Sequence, residues 1–172
     1  MIEEKQVRVR PARLTDDTAL TRLESAAWSA EAGFPSVFER VTATNAPFFG
    51  ADNPPDAHLV AELNGSVVGY IRLKAPTRLP ENAHVMQVQG LAVHPSARRR
   101  GIGAMLLTAA VQRLRERGTR KLTLRVLSSN TAAIALYERL GFVHEGALRD
   151  EFMINGRYVD DVLMAIFVEP QA

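Results

Sequence analysis

The stretch from Leu91 to Leu114, LAVHPSARRRGIGAMLLTAAVQRL, leaves few folds open. An apolar run ends at Pro95, which lacks the N–H needed to continue a strand ladder. Three consecutive arginines and two glycines follow, and then Leu107, Val111 and Leu114 recur at helical spacing. The pattern predicts a strand from His84 to Pro95 and a helix from Gly103 to Arg117, closed by Gly118. A further strand is expected from Lys121. A strand, a helix and a strand in that order form a right-handed crossover, so the two strands are expected to be parallel.

The remaining chain reads mainly as hairpins. VRVRP is a short strand, and a helix capped near Thr15 runs to about Trp28. A second helix is expected around Val37 to Thr44, followed by a Pro-, Asn- and Phe-rich loop from Phe48 to Ala57. Asn64-Gly65 and Asn155-Gly156 each join two strand-like runs, a strong signal for a tight hairpin. NTAAIALYERLG is a helix capped by Ser129 or Asn130 and closed by Gly141. The order β-α-α-β-β-β-α-β-α-β-β has no repeats or linkers. It implies an α+β (mixed α/β) fold, with a central, mostly antiparallel sheet, one parallel pair and helices on both faces. At 172 residues, 47% of them hydrophobic, the chain is long enough for one cored domain, expected to span 1–172.

Charge narrows the function. The formal net charge is only +2, yet Pro95 to Arg125 holds nine Lys or Arg against one acid, Glu116. A focused basic patch suits a compact anion better than a long nucleic acid. ARRRGIGAMLL also lacks the interleaved aromatics that stack bases, so no nucleic-acid partner is expected. No run approaches the ~18 apolar residues of a membrane span, and the N-terminus has no apolar signal core. A cytoplasmic protein without a membrane partner is therefore expected. With no cysteine and four scattered histidines, neither a thiol nucleophile nor a metal site is expected.

Two common phosphate loops can be dismissed. A P-loop needs Lys-Ser/Thr after its last glycine, and Gly103 is followed by Ala104-Met105; a dinucleotide fingerprint needs a third glycine where Leu106 stands. What remains is Arg98-x-x-Gly101-x-Gly103 at a helix start. There, backbone N–H groups, the helix dipole and guanidinium groups suit two adjacent phosphates. A solvated basic helix entry is the plainer alternative.

This arrangement resembles the acetyl-CoA motif of the GNAT family of N-acetyltransferases, [Gln/Arg]-x-x-Gly-x-[Gly/Ala] after a strand. About thirty residues on, NTAAIALYERLGF resembles that family's second motif, Asn-x-x-Ala-x-x-Leu-Tyr-x-x-x-Gly-Phe. The resemblance covers about Val85 to Phe142 and implies acetyl transfer from acetyl-CoA to a primary amine of a small molecule or peptide, in a ternary complex. It implies that Leu91, Ala92 and Val93 offer backbone groups to the pantetheine arm, where two parallel strands splay. Arg98, Arg99, Arg100, Gly101, Ile102, Gly103 and Ala104 would wrap the pyrophosphate. Asn130 and Ala133 would contact the cofactor, Asn130 being equally suited to cap its helix. Tyr137 would be the general acid for the departing thiolate, a phenol being the weaker acid of the two.

One position departs from the family pattern. Many members place a glutamate, the general base, eleven residues before the opening Gln/Arg, and here that residue is Gln87. His84, Glu81, Glu62, Asp160 and Asp161 are alternative bases, with His58 and His144 as weaker ones. The tail from Glu145 to Phe167 resembles the family's C-terminal hairpin, whose acids Glu145, Asp150, Glu151, Asp160 and Asp161 suit either a cationic acceptor or an exposed edge. A homodimer is compatible with this hairpin. Two other functions remain open: a non-catalytic CoA sensor, and an acyltransferase using another acyl-CoA or a hydroxyl acceptor.

Overall fold

The computed structural model describes residues 6–28, 34, 36, 37, 39 and 46–168. Its strands are β1 (Val7–Pro11), β2 (His58–Leu63), β3 (Ser66–Lys74), β4 (Val85–Val93), β5 (Lys121–Leu127), β6 (Val143–Ile154) and β7 (Arg157–Phe167). Three α-helices join them: α1 (Asp17–Ala27), α2 (Ile102–Glu116) and α3 (Thr131–Arg139). The helix expected around Val37 to Thr44 lies largely outside the described residues.

The strands form one sheet in the order β1-β2-β3-β4-β5-β7-β6. β1–β2, β2–β3, β5–β7 and β6–β7 are antiparallel, whereas β4 and β5 are parallel. The parallel ladder runs from Val85↔Lys121 to Gln87↔Thr123, and β4 continues to Val93 outside it. Both Asn-Gly turns behave as the dipeptides require, with φ of 52° and 78° at Asn64-Gly65 and 51° and 76° at Asn155-Gly156.

Residue contacts divide the chain into two compact units. The first comprises Met1–Arg72 with Gly90–Ala110. Here Leu20, Leu23 and Ala27 of α1 pack with Val60, Tyr70 and Ala92 of the strands. The next residue along β3 faces the other way. A Cβ on Gly69 would lie 3.1 Å from the Ala92 carbonyl oxygen and 3.2–3.3 Å from Leu106 and Ile102 side-chain atoms. Successive strand residues point to opposite faces, so α1 and the first turns of α2 cover opposite sides of these strands. Lacking a side chain at Gly69, β3 lets α2 approach closely.

Arg10 ties this unit's edge together. Its guanidinium donates to both Asp16 oxygens at 2.8 Å and to Glu62 Oε1 at 2.6 Å and 2.8 Å. Asp16 also accepts the Arg13 backbone N–H at 2.7 Å, so the entry to α1 is anchored by an aspartate and not by the expected Thr15. Asp16 has two oxygens and a charge, so it can take both prongs of Arg10 and the backbone N–H at once, whereas a threonine hydroxyl offers one uncharged oxygen.

The second unit comprises Leu73–Gln89 with Val111–Ala172. Leu114, Leu122, Leu124, Phe142, Met164 and Ala165 are among its buried apolar residues. Two left-handed glycines end its helices. Gly118 (φ 72°) closes α2, with Thr119 N–H bonded to the Leu114 carbonyl at 3.0 Å. Gly141 (φ 93°) closes α3 through a Phe142-to-Tyr137 bond of the same length. Edge strand β6 is bulged at His144/Gly146 and at Leu148/Phe152, where Asp150 has φ 53°. Such irregularity discourages edge-to-edge pairing.

Asp16 makes stability pH-dependent. Its hydrogen bonds to Arg10, with a smaller opposing effect of burial, hold the carboxyl below its ordinary 3.8. A depressed folded-state pKa contributes stability that is present above the unfolded pKa and lost as pH falls through the folded one. Urea unfolding monitored between pH 6 and pH 2 is expected to show this loss, and Asp16→Asn should be less stable at pH 6 with a flatter acid limb.

Candidate active site

The turn that follows β4 is built from Pro95 onward. Pro95–Ala97 form one 3-10 turn, opened by His94 Nδ1 accepting the Ser96 N–H, and buried Ala97 plugs it into the first unit. Arg98 then extends (φ −64°, ψ 162°), and its guanidinium folds back onto the ends of α1 and β4. Nη2 donates to the carbonyl of Ala27, the last residue of α1, at 3.0 Å, and Nε donates to the Val93 carbonyl at 3.3 Å. Arg98 therefore joins the end of a helix to the end of a strand, as a cation at a helix C-terminus should.

Arg98, Arg99 and Arg100 are all exposed, and among the described residues Arg98 is the one of the three with side-chain hydrogen bonds. Arg99 has φ 61° and Gly101 φ 74°, two left-handed residues that turn the chain into α2. Helix α2 begins at Ile102, one residue earlier than expected, because Gly101 takes the cap position and its carbonyl accepts the first helical bond from Met105 at 3.0 Å. The N–H groups of Ile102, Gly103 and Ala104 precede that bond and lack intrahelical partners. Buried Ile102 anchors the turn from below. Unpaired N–H groups at a helix start, with two exposed guanidinium groups beside them, can hold a dianionic pyrophosphate. Leu91, Ala92 and Val93 lie on the part of β4 beyond the parallel ladder, so the backbone edge there can take an extended chain.

In the second unit, Asn130 caps α3, with Oδ1 accepting the Ala133 N–H at 3.1 Å. The cap uses the oxygen and leaves the Nδ2 amide as a donor. Tyr137 is 8% exposed and packs on Phe142 with 5.8 Å between ring centroids. Burial raises its phenol above the ordinary 10.0, so it is protonated at neutral pH and able to donate.

The base candidates are mostly engaged elsewhere. Gln87 accepts a 2.5 Å bond from Gln89. Glu62 serves Arg10, and Asp161 is buried in an ion pair with Arg125. Asp160 accepts the Asp150 N–H at 2.9 Å, Glu145 pairs with Lys121 at 2.7 Å, and His144 faces Glu138 at 2.9 Å. His58 is fully buried, its Nδ1 is 2.9 Å from the Pro54 carbonyl, and desolvation drives its pKa down to about 4. Glu81 and His84 are exposed near the start of β4. Glu145, Asp160 and Asp161 thus have cation or backbone partners within their own unit, which weakens their reading as an acceptor trap.

A cluster not expected from sequence stands in the first unit. Glu24 Oε1 accepts both the Trp28 Nε1–H at 3.1 Å and the Tyr70 hydroxyl. Tyr70 in turn lies against Phe48 and His58, at centroid distances of 5.2 Å and 5.9 Å. The i, i+4 spacing of Glu24 and Trp28 was visible in the sequence, but the approach of β3 was not. Among the described residues, no group of three or more His, Cys, Asp or Glu is placed to hold a metal ion, and no helix is long and apolar enough to cross a membrane.

Comparison with known proteins agrees with this geometry. Residues 18–142 match the model of the acetyltransferase (GNAT) family. An N-alpha-acetyltransferase of Sulfurisphaera tokodaii is 33% identical over 155 residues, covering 84% of this chain and 85% of that protein. The ribosomal-protein-S18-alanine N-acetyltransferase structure from Escherichia coli superposes with a TM-score of 0.72 at 25% identity, covering 97% of each chain. A Sinorhizobium meliloti phosphinothricin acetyltransferase solved with acetyl-CoA shares the fold, with a TM-score of 0.71 at 23% identity and coverage of 96% and 93%. The chain belongs to the acetyltransferase (GNAT) family. It is an acetyl-CoA-dependent N-acetyltransferase.

Arg98 and Arg99 should separate in a melting experiment. Arg98→Ala removes two hydrogen bonds from a charged donor and is expected to destabilise the protein by about 1 kcal/mol or more. Arg99→Ala removes an exposed head group and should leave the thermal midpoint unchanged.

Proposed function

We propose that this enzyme acetylates the α-amine of a peptide or protein N-terminus by direct transfer from acetyl-CoA. The observation that carries the reading is the 33% identity to an N-alpha-acetyltransferase over most of both chains. The likeness to a ribosomal-protein-alanine acetyltransferase points the same way. Residues 1–172 act as one N-acetyltransferase domain, and the cytoplasm, where acetyl-CoA is made, is the expected location.

In this reading the N–H groups of Ile102, Gly103 and Ala104, with Arg99, Arg100 and Gly101, cradle the pyrophosphate, while Arg98 positions the turn. Leu91, Ala92 and Val93 pair through their backbones with the pantetheine arm. Asn130 Nδ2 and the helix turn at Ala133 add contacts to the cofactor. The amine attacks the thioester carbonyl, and an N–H of the Gly90 to Val93 strand stabilises the oxyanion. Collapse breaks the C–S bond, the Tyr137 phenol protonates the thiolate, and the proton shed by the attacking nitrogen restores the phenol. With no cysteine in the sequence, no acyl-thioester forms on this chain.

Gln87 favours a second reading, a protein that binds CoA without catalysis, because glutamine cannot take a proton from the acceptor. One assay separates the two: thiol release from acetyl-CoA with N-terminally free peptides, polyamines, free amino acids and aminoglycosides. Peptides are expected to be the best acceptors. Preference for a polyamine would move the substrate to small molecules, and background release with intact CoA binding would favour the sensor. Tyr137→Phe is expected to lower turnover by about tenfold or more without changing acetyl-CoA affinity; an unchanged rate would remove the phenol from the mechanism.

A further inference from the structure

The geometry points to Glu24 as the group that receives the acceptor ammonium and takes its proton. This rests on the acetyl-transfer reading above. The carboxylate lies in the last turn of α1, and both of its hydrogen bonds end on Oε1, one from Trp28 and one from Tyr70. Among the described residues no donor reaches Oε2. Glu24 thus has one oxygen held by two donors and the other left as an acceptor.

The same contacts set Glu24 beside the strand assigned to the acyl group. A Cβ built on Gly90 would lie 3.2 Å from Tyr70 Cε2 and 3.3 Å from its hydroxyl oxygen. The Tyr70 hydroxyl therefore abuts the β4 backbone immediately before Leu91, and it bonds Glu24 on its other side. A side chain at position 90 would require the phenol to give way by a few tenths of an ångström.

Tyr70 is held firmly. Phe48 stands edge-on to it at 5.2 Å, and His58 at 5.9 Å is kept neutral by its burial. Burial, then the charge of Glu24 and its hydrogen bond, hold the Tyr70 phenol well above its ordinary range, so it remains a donor to Glu24. Arg72, two residues along β3, donates to the Asp52 carbonyl at 2.5 Å and does not ion-pair with Glu24. The irregular Phe48 to Ala57 segment thus walls an acidic position where a cationic amine could be desolvated.

The step balances simply. An N–H proton of the ammonium passes to Glu24 Oε2, and the freed lone pair forms the N–C bond at the thioester carbonyl. The C–S bond then breaks as the Tyr137 phenol protonates the thiolate, the second N–H proton shed by the attacking nitrogen restores that phenol, and Glu24 returns its own proton to water. Glu24 fills the task that Gln87 cannot perform.

The test compares wild type with Glu24→Gln, whose amide oxygen can still accept from Trp28 and Tyr70. Using a short peptide with a free N-terminal alanine, kcat/KM is expected to fall about 100-fold while acetyl-CoA affinity and melting temperature hold. O-methylhydroxylamine, whose nitrogen is unprotonated at neutral pH, needs no base, so with it the two proteins should differ little. Wild-type kcat/KM in Glu24→Gln overturns the inference, as does an equal loss with both acceptors, which would mean a purely structural role. If Glu24→Gln does not fold, Glu24→Asp decides: a loss of about tenfold with the peptide and little with O-methylhydroxylamine supports the assignment. Wild-type rates in Glu24→Asp count against it. A wild-type enzyme that acetylates nothing in the panel removes the acetyl-transfer reading itself, and this inference with it.

Discussion

The reversal from strand to helix between Arg98 and Gly101 is the constraint on which the donor side depends. The chain passes there from the end of β4 to the first turn of α2 within a few residues. Two left-handed residues make the turn, and one of them, Arg99, carries a side chain and so stores roughly 1 kcal/mol or more of strain. The strain is sustained from both sides. Arg98 is bound to the Ala27 and Val93 carbonyls, and Ile102 is buried in the core. One arginine is thereby spent on structure, so that two others and a row of N–H groups face outward.

A similar division governs the acids. Asp16 and Glu62 neutralise Arg10, Asp161 neutralises Arg125, and Glu145 meets Lys121. Buried charges are tolerable only when paired in this way. Glu24 differs from these, because its partners among the described residues are neutral donors and both use one oxygen. A carboxylate so placed keeps its charge available to an incoming cation, whereas an ion-paired one does not. The aromatic packing of Phe48, Phe49, His58 and Tyr70 supplies dry walls at the same place.

Much of the fold was legible because its signals are local. Asn64-Gly65 and Asn155-Gly156 specify their hairpins through φ alone, and Gly118 and Gly141 end their helices for the same reason. Asn130 capped α3 as one of its two expected roles. Local signals also misled. Thr15 looked like the cap of α1, but Asp16 prevailed because Arg10 and Arg13 both converge on it. Sequence could not rank the three adjacent arginines; Arg98 is the one that bonds back to the protein, because the end of α1, far away in sequence, offers it a carbonyl.

The sequence by itself determined the order of elements, their Asn-Gly and glycine turns, and the basic, glycine-containing entry to α2, since each depends on residues within a few positions of one another. Only the tertiary structure decided which charges are free. Whether Glu62, Asp161 or Glu24 can meet a substrate depends on partners 52, 36 and 46 residues distant, brought close by strand pairing and helix packing. A carboxylate has the same composition whether it is neutralised or available, and its chemistry is set by which donors the fold places around it.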